Sequence, residues 1–175
     1  MRLNTEVKRM VTAFTIFSLV GYYGQNTFAL VPYDSTKIRI EQELIYKINR
    51  QRVLYGLEPL IKNPKLMKSA RFKSLHMKEH EYYSHTSPIY GNFYEIPRLF
   101  GHTGTVGEVL HGISHGDLWD IVDGWLGSSY HRDLLLHPDA VSLGVGVATV
   151  DVPFVVRLED GEFLISGLTT VHFGF

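Results

Sequence analysis

Cysteine is absent from all 175 residues. That excludes a disulfide scaffold, a thiolate zinc site, a cysteine nucleophile and a lipid-modified N-terminal cysteine. Net charge is also scarce: 17 Lys/Arg stand against 18 Asp/Glu, giving −1, so bulk charge does not describe a nucleic-acid binder. Gly and Pro, 16 and 7, are too few for a fibrous or low-complexity chain. No internal repeat or linker interrupts the sequence. What is present is 45% hydrophobic residues, enough for a real core at a length that suits one domain.

The first residues read as an address. Arg2, Lys8 and Arg9 form a basic head, Met10 to Tyr23 is apolar and uncharged, and Thr27-Phe28-Ala29 places small residues around a cleavage point. This is the pattern of a secretory signal over residues 1–29. The apolar run reaches the roughly 20 residues of a spanning helix only by including Gly24, Gln25 and Asn26. An uncleaved anchor, with Tyr22 and Tyr23 at the interface, is the alternative. Residues 30–40 then form a lead-in and residues 41–175 the domain. Residues 36–82 carry eleven Lys/Arg and five Asp/Glu; residues 83–175 carry three and eleven. Solvated faces of two helices account for the basic half.

The periodicity predicts helices over 34–55, 64–80, 93–100 and 117–129. Ile38, Ile45 and Ile48 share a face of the first, which Gly56 ends. Asn63 caps the second, Pro64 occupies its first turn, and Leu66, Ala70 and Met77 line one stripe. Asp117 caps the last, with Leu118, Ile121, Val122 and Trp125 inward. Residues 143–150, 153–158 and 163–171 are β-prone, with Glu159-Asp160-Gly161 as a turn. Helices first and a meander last argue an α+β fold.

Histidine is the unusual residue: nine in all, seven of them after residue 83. Without cysteine, imidazole and carboxylate are the metal ligands and acid–base groups left. His76-Met77-Lys78-Glu79-His80 is an H-x-x-E-H helix pattern that could share a zinc ion, or be the polar end of a helix. Ser128 near His131 invites a triad but lacks a nucleophile elbow. Gly144-Val145-Gly146, inside a strand, marks close backbone approach. His85, Glu108 and His131 are spread out, and spacing alone does not unite them.

Several segments match one family in order. Asn49-x-x-Arg52 lies in the opening helix, and Gly56-Leu57-Glu58-Pro59-Leu60 follows it. Then come Tyr83-Ser84-His85, Gly107-Glu108, Trp125-x-x-Ser128-x-x-His131-Arg132 and Leu143-Gly144-Val145-Gly146-Val147-Ala148. From about residue 41 onward the chain resembles a bacterial, cysteine-free member of the CAP superfamily of cysteine-rich secretory, antigen 5 and pathogenesis-related proteins. The resemblance implies an α–β–α sandwich with a small, mainly antiparallel three-stranded sheet flanked by helices. It implies an open cleft in which His85, Glu108 and His131 converge and hold zinc or another divalent ion, if any cofactor is present.

Three positions depart from the family pattern. Val109 replaces an asparagine. Ser128 stands where animal members carry a second acid. Tyr130 replaces a small residue, narrowing the cleft or adding a hydroxyl. Arg52 and Asn49 read as structural, Trp125 as core, and His102, His111 and His115 as flanking Glu108 in a Gly-rich loop. His137 and His172 attract no role.

The expected function is a secreted binding domain, at the cell wall or surface, whose cleft holds a metal or small ligand. The alternatives are a metal-dependent hydrolase using Glu108, and a lipid-binding module using Tyr82-Tyr83 and Phe93-Tyr94. Expected partners are a wall or surface component or a small ligand, not nucleic acid, with membrane contact only through the N-terminal segment. Mass spectrometry of the exported protein should find an N-terminus near Leu30; a full-length chain in the membrane fraction would identify an anchor.

Overall fold

A computed structural model describes residues 34–113, 121–158 and 161–175. The signal-like segment 1–29, His115, the expected helix start at Asp117 and Leu118, and Glu159-Asp160 lie outside these residues. The account below concerns the body Thr36–Phe175 and the helix that leads into it.

Helix α1 (Ser35–Leu54) buries Glu41, Leu44, Ile48 and Arg52, a stripe spaced by three and four residues. The apolar pattern predicts Ile38, Ile45 and Ile48 instead. Of these only Ile48 is at the core, and Ile45 packs at its margin. The helix is turned because two charged side chains go inward with partners. Glu41 accepts from Arg71 Nη2 at 2.6 Å and from Arg71 Nε at 2.9 Å. Arg52 is 1% exposed. It donates to the carbonyls of Glu58 at 2.9 Å, Leu135 at 2.9 Å, His137 at 3.0 Å and Ala140 at 3.2 Å. Burial pushes its pKa down, and the carbonyl cage satisfies the guanidinium donors that burial removes from water. Asn49 bonds both ways to Leu60, donating to its carbonyl at 3.0 Å and accepting its N–H at 2.8 Å. The structural readings of Arg52 and Asn49 agree with this. Gly56 takes φ +74° and Leu57 N–H reaches back to Arg52 O, which closes the helix.

Strand β1 (Ile61–Lys62) leads into α2 (Pro64–Glu79), with Asn63 accepting from the N–H groups of Lys65 and Leu66. Short helix α3 (Glu95–Leu99) follows, then strand β2 (Val106–Ile113), helices α4 (Ile121–Gly127) and α5 (Ser129–Leu135), and strands β3 (Ser142–Leu158) and β4 (Gly161–Gly174). The sheet order is β1-β3-β4-β2. β3, β4 and β2 are antiparallel neighbours, and β1 adds a two-residue parallel edge.

The expected three-stranded sheet is therefore four-stranded among the described residues. Two residues of β1 are too few to leave a periodic signal. Glu108, expected in a Gly-rich loop, lies within β2, where pairing with β4 overrides its glycines. β3 runs through Pro153 by an irregularity between Thr149 and Phe154. The serines after α4 do not end a helical region; they open α5.

Helices cover both faces of the sheet. Leu143, Val145, Val109, Val171 and Phe173 meet Leu44 and Ile48 of α1, Trp125 of α4 and Leu135 of α5. Trp125 Nε1 donates to Leu110 O at 3.0 Å. On the other face α2 lies directly on β3. A Cβ on Gly144 would sit 2.0 Å from the Leu66 backbone, and one on Gly146 2.2 Å from that of Ala70. Only glycine permits that approach.

Arg52→Met would leave four carbonyls without their donor and is expected to cost about 3 kcal/mol or more. Urea unfolding beside wild type measures it, and a loss near zero would show that the cage does not stabilise the fold.

Candidate functional site

The tight seat of α2 places Ser69 and Lys73 against the sheet row that contains Glu108. Glu108 pairs in register with His172, and His172 with Gly144, so these positions share the α2 face. Glu108 is 2% exposed, and a carboxylate there needs partners for both oxygens. Oε1 accepts from His85 Nδ1 at 2.8 Å. Oε2 accepts from His172 Nε2 at 2.9 Å. Burial pulls the Glu108 pKa upward. The bonds from His172 and His85, with the charges of His172 and Lys73, outweigh it and hold the carboxyl below the usual range.

The hydrogen bonds dictate proton positions. An ionised Glu108 only accepts, so His85 carries a proton on Nδ1 and His172 one on Nε2. The remaining His172 Nδ1 lies 2.8 Å from Ser69 Oγ, and Ser69 Oγ is 3.0 Å from Leu66 O. The single hydroxyl proton of Ser69 can serve one acceptor at a time. That proton goes to His172 Nδ1 when the ring accepts, and to Leu66 O when Nδ1 donates.

His85 comes from the loop after α2. Lys73 is 0% exposed and donates to the carbonyls of Ser84 at 2.7 Å and His85 at 3.0 Å. Its ammonium also lies 5.1 Å from the centre of the Tyr82 ring. Desolvation lowers the Lys73 pKa, and the field of Glu108 opposes this. The sequence reading of the basic half as solvated helix faces is corrected at Lys73, which finds two backbone carbonyls within reach. The His85 side chain is 44% exposed, so Glu108 orients one edge of an imidazole whose other nitrogen remains available.

A cleft of about 520 Å³ opens here, lined by His85, Glu108, Phe93, Tyr130, Leu134 and Phe175 among others. His137 and Asp139 add polar groups to the lining. Tyr130 is 63% exposed and sits on the rim. His131, on α5, is half-buried and outside that lining. Burial, then the proximity of His85, pushes its pKa down. Burial, then His131, does the same to His111, which stands edge-on to Trp125 at 6.2 Å. Ser128 precedes α5 and makes no side-chain cap bond.

The structure thus joins His85 to Glu108 directly and sets His131 within electrostatic reach of His85. It adds Lys73, Ser69 and His172, which sequence reasoning missed. His172 could have been found only from the β2–β4 register. Both Glu108 oxygens already accept N–H bonds, and among the described residues no group of three His, Cys, Asp or Glu is placed to hold a metal ion. As arranged, His85, Glu108 and His131 do not fit a three-ligand zinc site.

Residues 45–156 match the family model described as CAP, the cysteine-rich secretory protein family. The chain belongs to this family. It is 36% identical over 109 residues to the protein YkwD of Bacillus subtilis, covering 61% of this chain and 41% of that protein. It is 36% identical over 110 residues to the B. subtilis membrane protein YlbC, covering 61% and 31%. The CAP chain therefore spans less than half the length of these relatives.

Among solved structures, the CAP fold here is similar to an extracellular SCP-domain protein of Bacillus anthracis. The TM-score is 0.64 at 24% identity, with coverage of 79% and 41%. An outer surface protein of Borrelia burgdorferi matches with TM-score 0.60 at 20% identity, covering 78% and 92%. Among the described residues five helices and a mixed, mainly antiparallel sheet make a mixed α/β fold of the same kind.

Glu108→Gln should cost about 3 kcal/mol near neutral pH, because an amide cannot accept two N–H bonds on separate oxygens. The depressed Glu108 carboxyl stabilises the fold above the usual carboxylate range and loses that contribution as pH falls through its folded value. Urea unfolding should show the wild type losing its advantage over the variant toward acid; a constant gap across pH would contradict the ionised pairing.

Proposed function

We propose that this CAP domain is an extracellular binding module whose cleft takes a small, mainly apolar ligand with a hydrogen-bonding end at His85. The observation that carries the reading is the His85–Glu108 pair at the edge of the 520 Å³ cleft. Glu108 holds Nδ1, so the exposed Nε2 presents a lone pair at neutral charge, or a donor when protonated. Phe93, Leu134 and Phe175 supply apolar walls, the usual balance of a small-molecule site. Tyr130 completes the proposed recognition group at the α5 side, and His131, outside the lining, lies within electrostatic reach of His85.

Export is supported by the signal pattern of residues 1–29 and by the extracellular and outer-surface descriptions of two structural neighbours. No helix among the described residues is long and apolar enough to cross a membrane. Attachment to the cell wall is a further part of this proposal.

Hydrolysis is the second reading, favoured by the carboxylate-oriented imidazole. His85 Nε2 would take a proton from water as it attacks a bound carbonyl, and Glu108 would stabilise the resulting imidazolium. Ser69 is fully buried under the sheet and is not placed to act as nucleophile. The lipid reading has lost part of its basis, because Tyr82 and Tyr83 pack against the inner core. Burial raises both their hydroxyl pKa values to about 12.

The test is an NMR titration of the full chain with small alkyl and aryl alcohols, amides and acids, following imidazole nitrogens. A binder should shift the His85 signals, and His85→Ala should weaken it at least tenfold, about 1.4 kcal/mol. Binding indifferent to His85→Ala, or no binder across the panel, would refute the cleft reading. Turnover of ester or amide probes by wild type and not by His85→Ala would establish the hydrolytic one.

A further inference from the structure

The H-x-x-E-H segment is solvated at Glu79 and His80 but not at His76. His76 is 3% exposed, although the apolar stripe of α2 predicts it outside the core. Aromatic neighbours hold it: Phe72 stacks at 5.8 Å, Tyr90 lies at 5.1 Å, and Tyr82 stands edge-on at 5.4 Å. Its Nδ1 is 2.8 Å from the Tyr82 hydroxyl. Its Nε2 is buried and has no hydrogen-bond partner. His80 is one turn further on, exposed, at the C-cap of α2. The two imidazole centroids are 4.3 Å apart and inclined by 42°.

We propose that His76 and His80 form a metal site separate from the cleft, binding one divalent ion of the imidazole-preferring class, with water completing its shell. Nitrogen–metal bonds of about 2.0–2.1 Å put two imidazoles sharing an ion roughly 4–5 Å apart between centres, and the observed spacing meets that. Tyr82 supplies the outer contact. A ring with its proton on Nδ1 donates to the hydroxyl oxygen and leaves an Nε2 lone pair, the tautomer a metal requires. The aromatic walls hold His76 in place, and His80, at the exposed helix end, turns over it.

Burial, then His80 and Lys73, lowers the His76 pKa to about 4, so the ring is neutral and competent to bind at physiological pH. The field is mixed. The Lys73 ammonium opposes a cation, and Glu79, close enough to raise the Tyr90 pKa, favours one. Among the described residues no third His, Cys, Asp or Glu joins the pair, which leaves the remaining positions to water. Two imidazoles without thiolate select Cu²⁺, Ni²⁺ or Zn²⁺ over Mg²⁺ or Ca²⁺, with Cu²⁺ tightest.

The experiment uses the full chain with Cu²⁺ alone, and Zn²⁺ in parallel, by calorimetry and electron paramagnetic resonance. Wild type, His80→Ala and Tyr82→Phe are compared, together with His80→Ala added to a His85→Ala/His131→Ala background. Far-UV circular dichroism confirms folding, and His80 is exposed, so its loss leaves the core intact. One Cu²⁺ with a two-imidazole nitrogen pattern is expected. It should survive in the His85→Ala/His131→Ala background and fall at least tenfold in affinity on adding His80→Ala. Tyr82→Phe should weaken it less. No stoichiometric binding, equal binding with and without His80, or loss of the nitrogen pattern in the cleft double variant would overturn the proposal.

Discussion

A carboxylate buried on the inner face of a sheet strand is the constraint around which this domain is arranged. Removing Glu108 from water is unfavourable by several kcal/mol unless each oxygen is bonded. Two histidines from distant parts of the chain meet that need, His85 from a loop and His172 from β4. Each then needs its own support. Ser69 and the Leu66 carbonyl lie beyond His172, and Lys73 fixes the carbonyls of Ser84 and His85, before and after the His85 Cα. The group reaches solvent only through the half-exposed His85, so what holds the fold also orients the imidazole offered to the cleft.

That arrangement depends on how closely α2 approaches the sheet. Gly144 and Gly146 let the backbone of α2 lie on β3, which brings the short Ser69 side chain within 2.8 Å of His172. A side chain at either glycine would lift the helix, and a serine hydroxyl could no longer span the gap. The opposite face follows a different rule. There Leu, Ile, Val and Phe side chains interdigitate with α1, α4 and α5, and a buried guanidinium, that of Arg52, is met by carbonyl oxygens rather than an acid. One face is thus a polar network under a tightly seated helix, and the other an apolar core pinned by a guanidinium.

His76 and His80 belong to the same helix but not to that network. α2 turns Ser69 and Lys73 toward the sheet and sets His76 among Phe72, Tyr82 and Tyr90. Tyr82 touches both regions, through the His76 nitrogen and the Lys73 ammonium. The helix therefore supports two histidine environments of different character: one tied to a carboxylate and open to a cleft, the other enclosed by aromatic rings.

Local chemistry determined much of this from sequence. Asn63 with Pro64 marks where α2 starts, Gly56 where α1 stops, and the paired glycines of β3 where a backbone comes close. The ordered motifs from Asn49 to Ala148 indicate the family, and with it His85 and Glu108 as neighbours. Register and rotation were decided only by tertiary structure. A strand pairing carries no local signal, so His172 became the second partner of Glu108 only when β4 settled beside β2. The buried face of α1 was set by whether Glu41 and Arg52 found partners, which hydrophobic spacing does not record. Likewise Lys73 and His76 count as polar in any pattern of α2. They are buried because carbonyls, a tyrosine hydroxyl and aromatic rings from elsewhere in the chain arrive around them, and those contacts exist only in the folded protein.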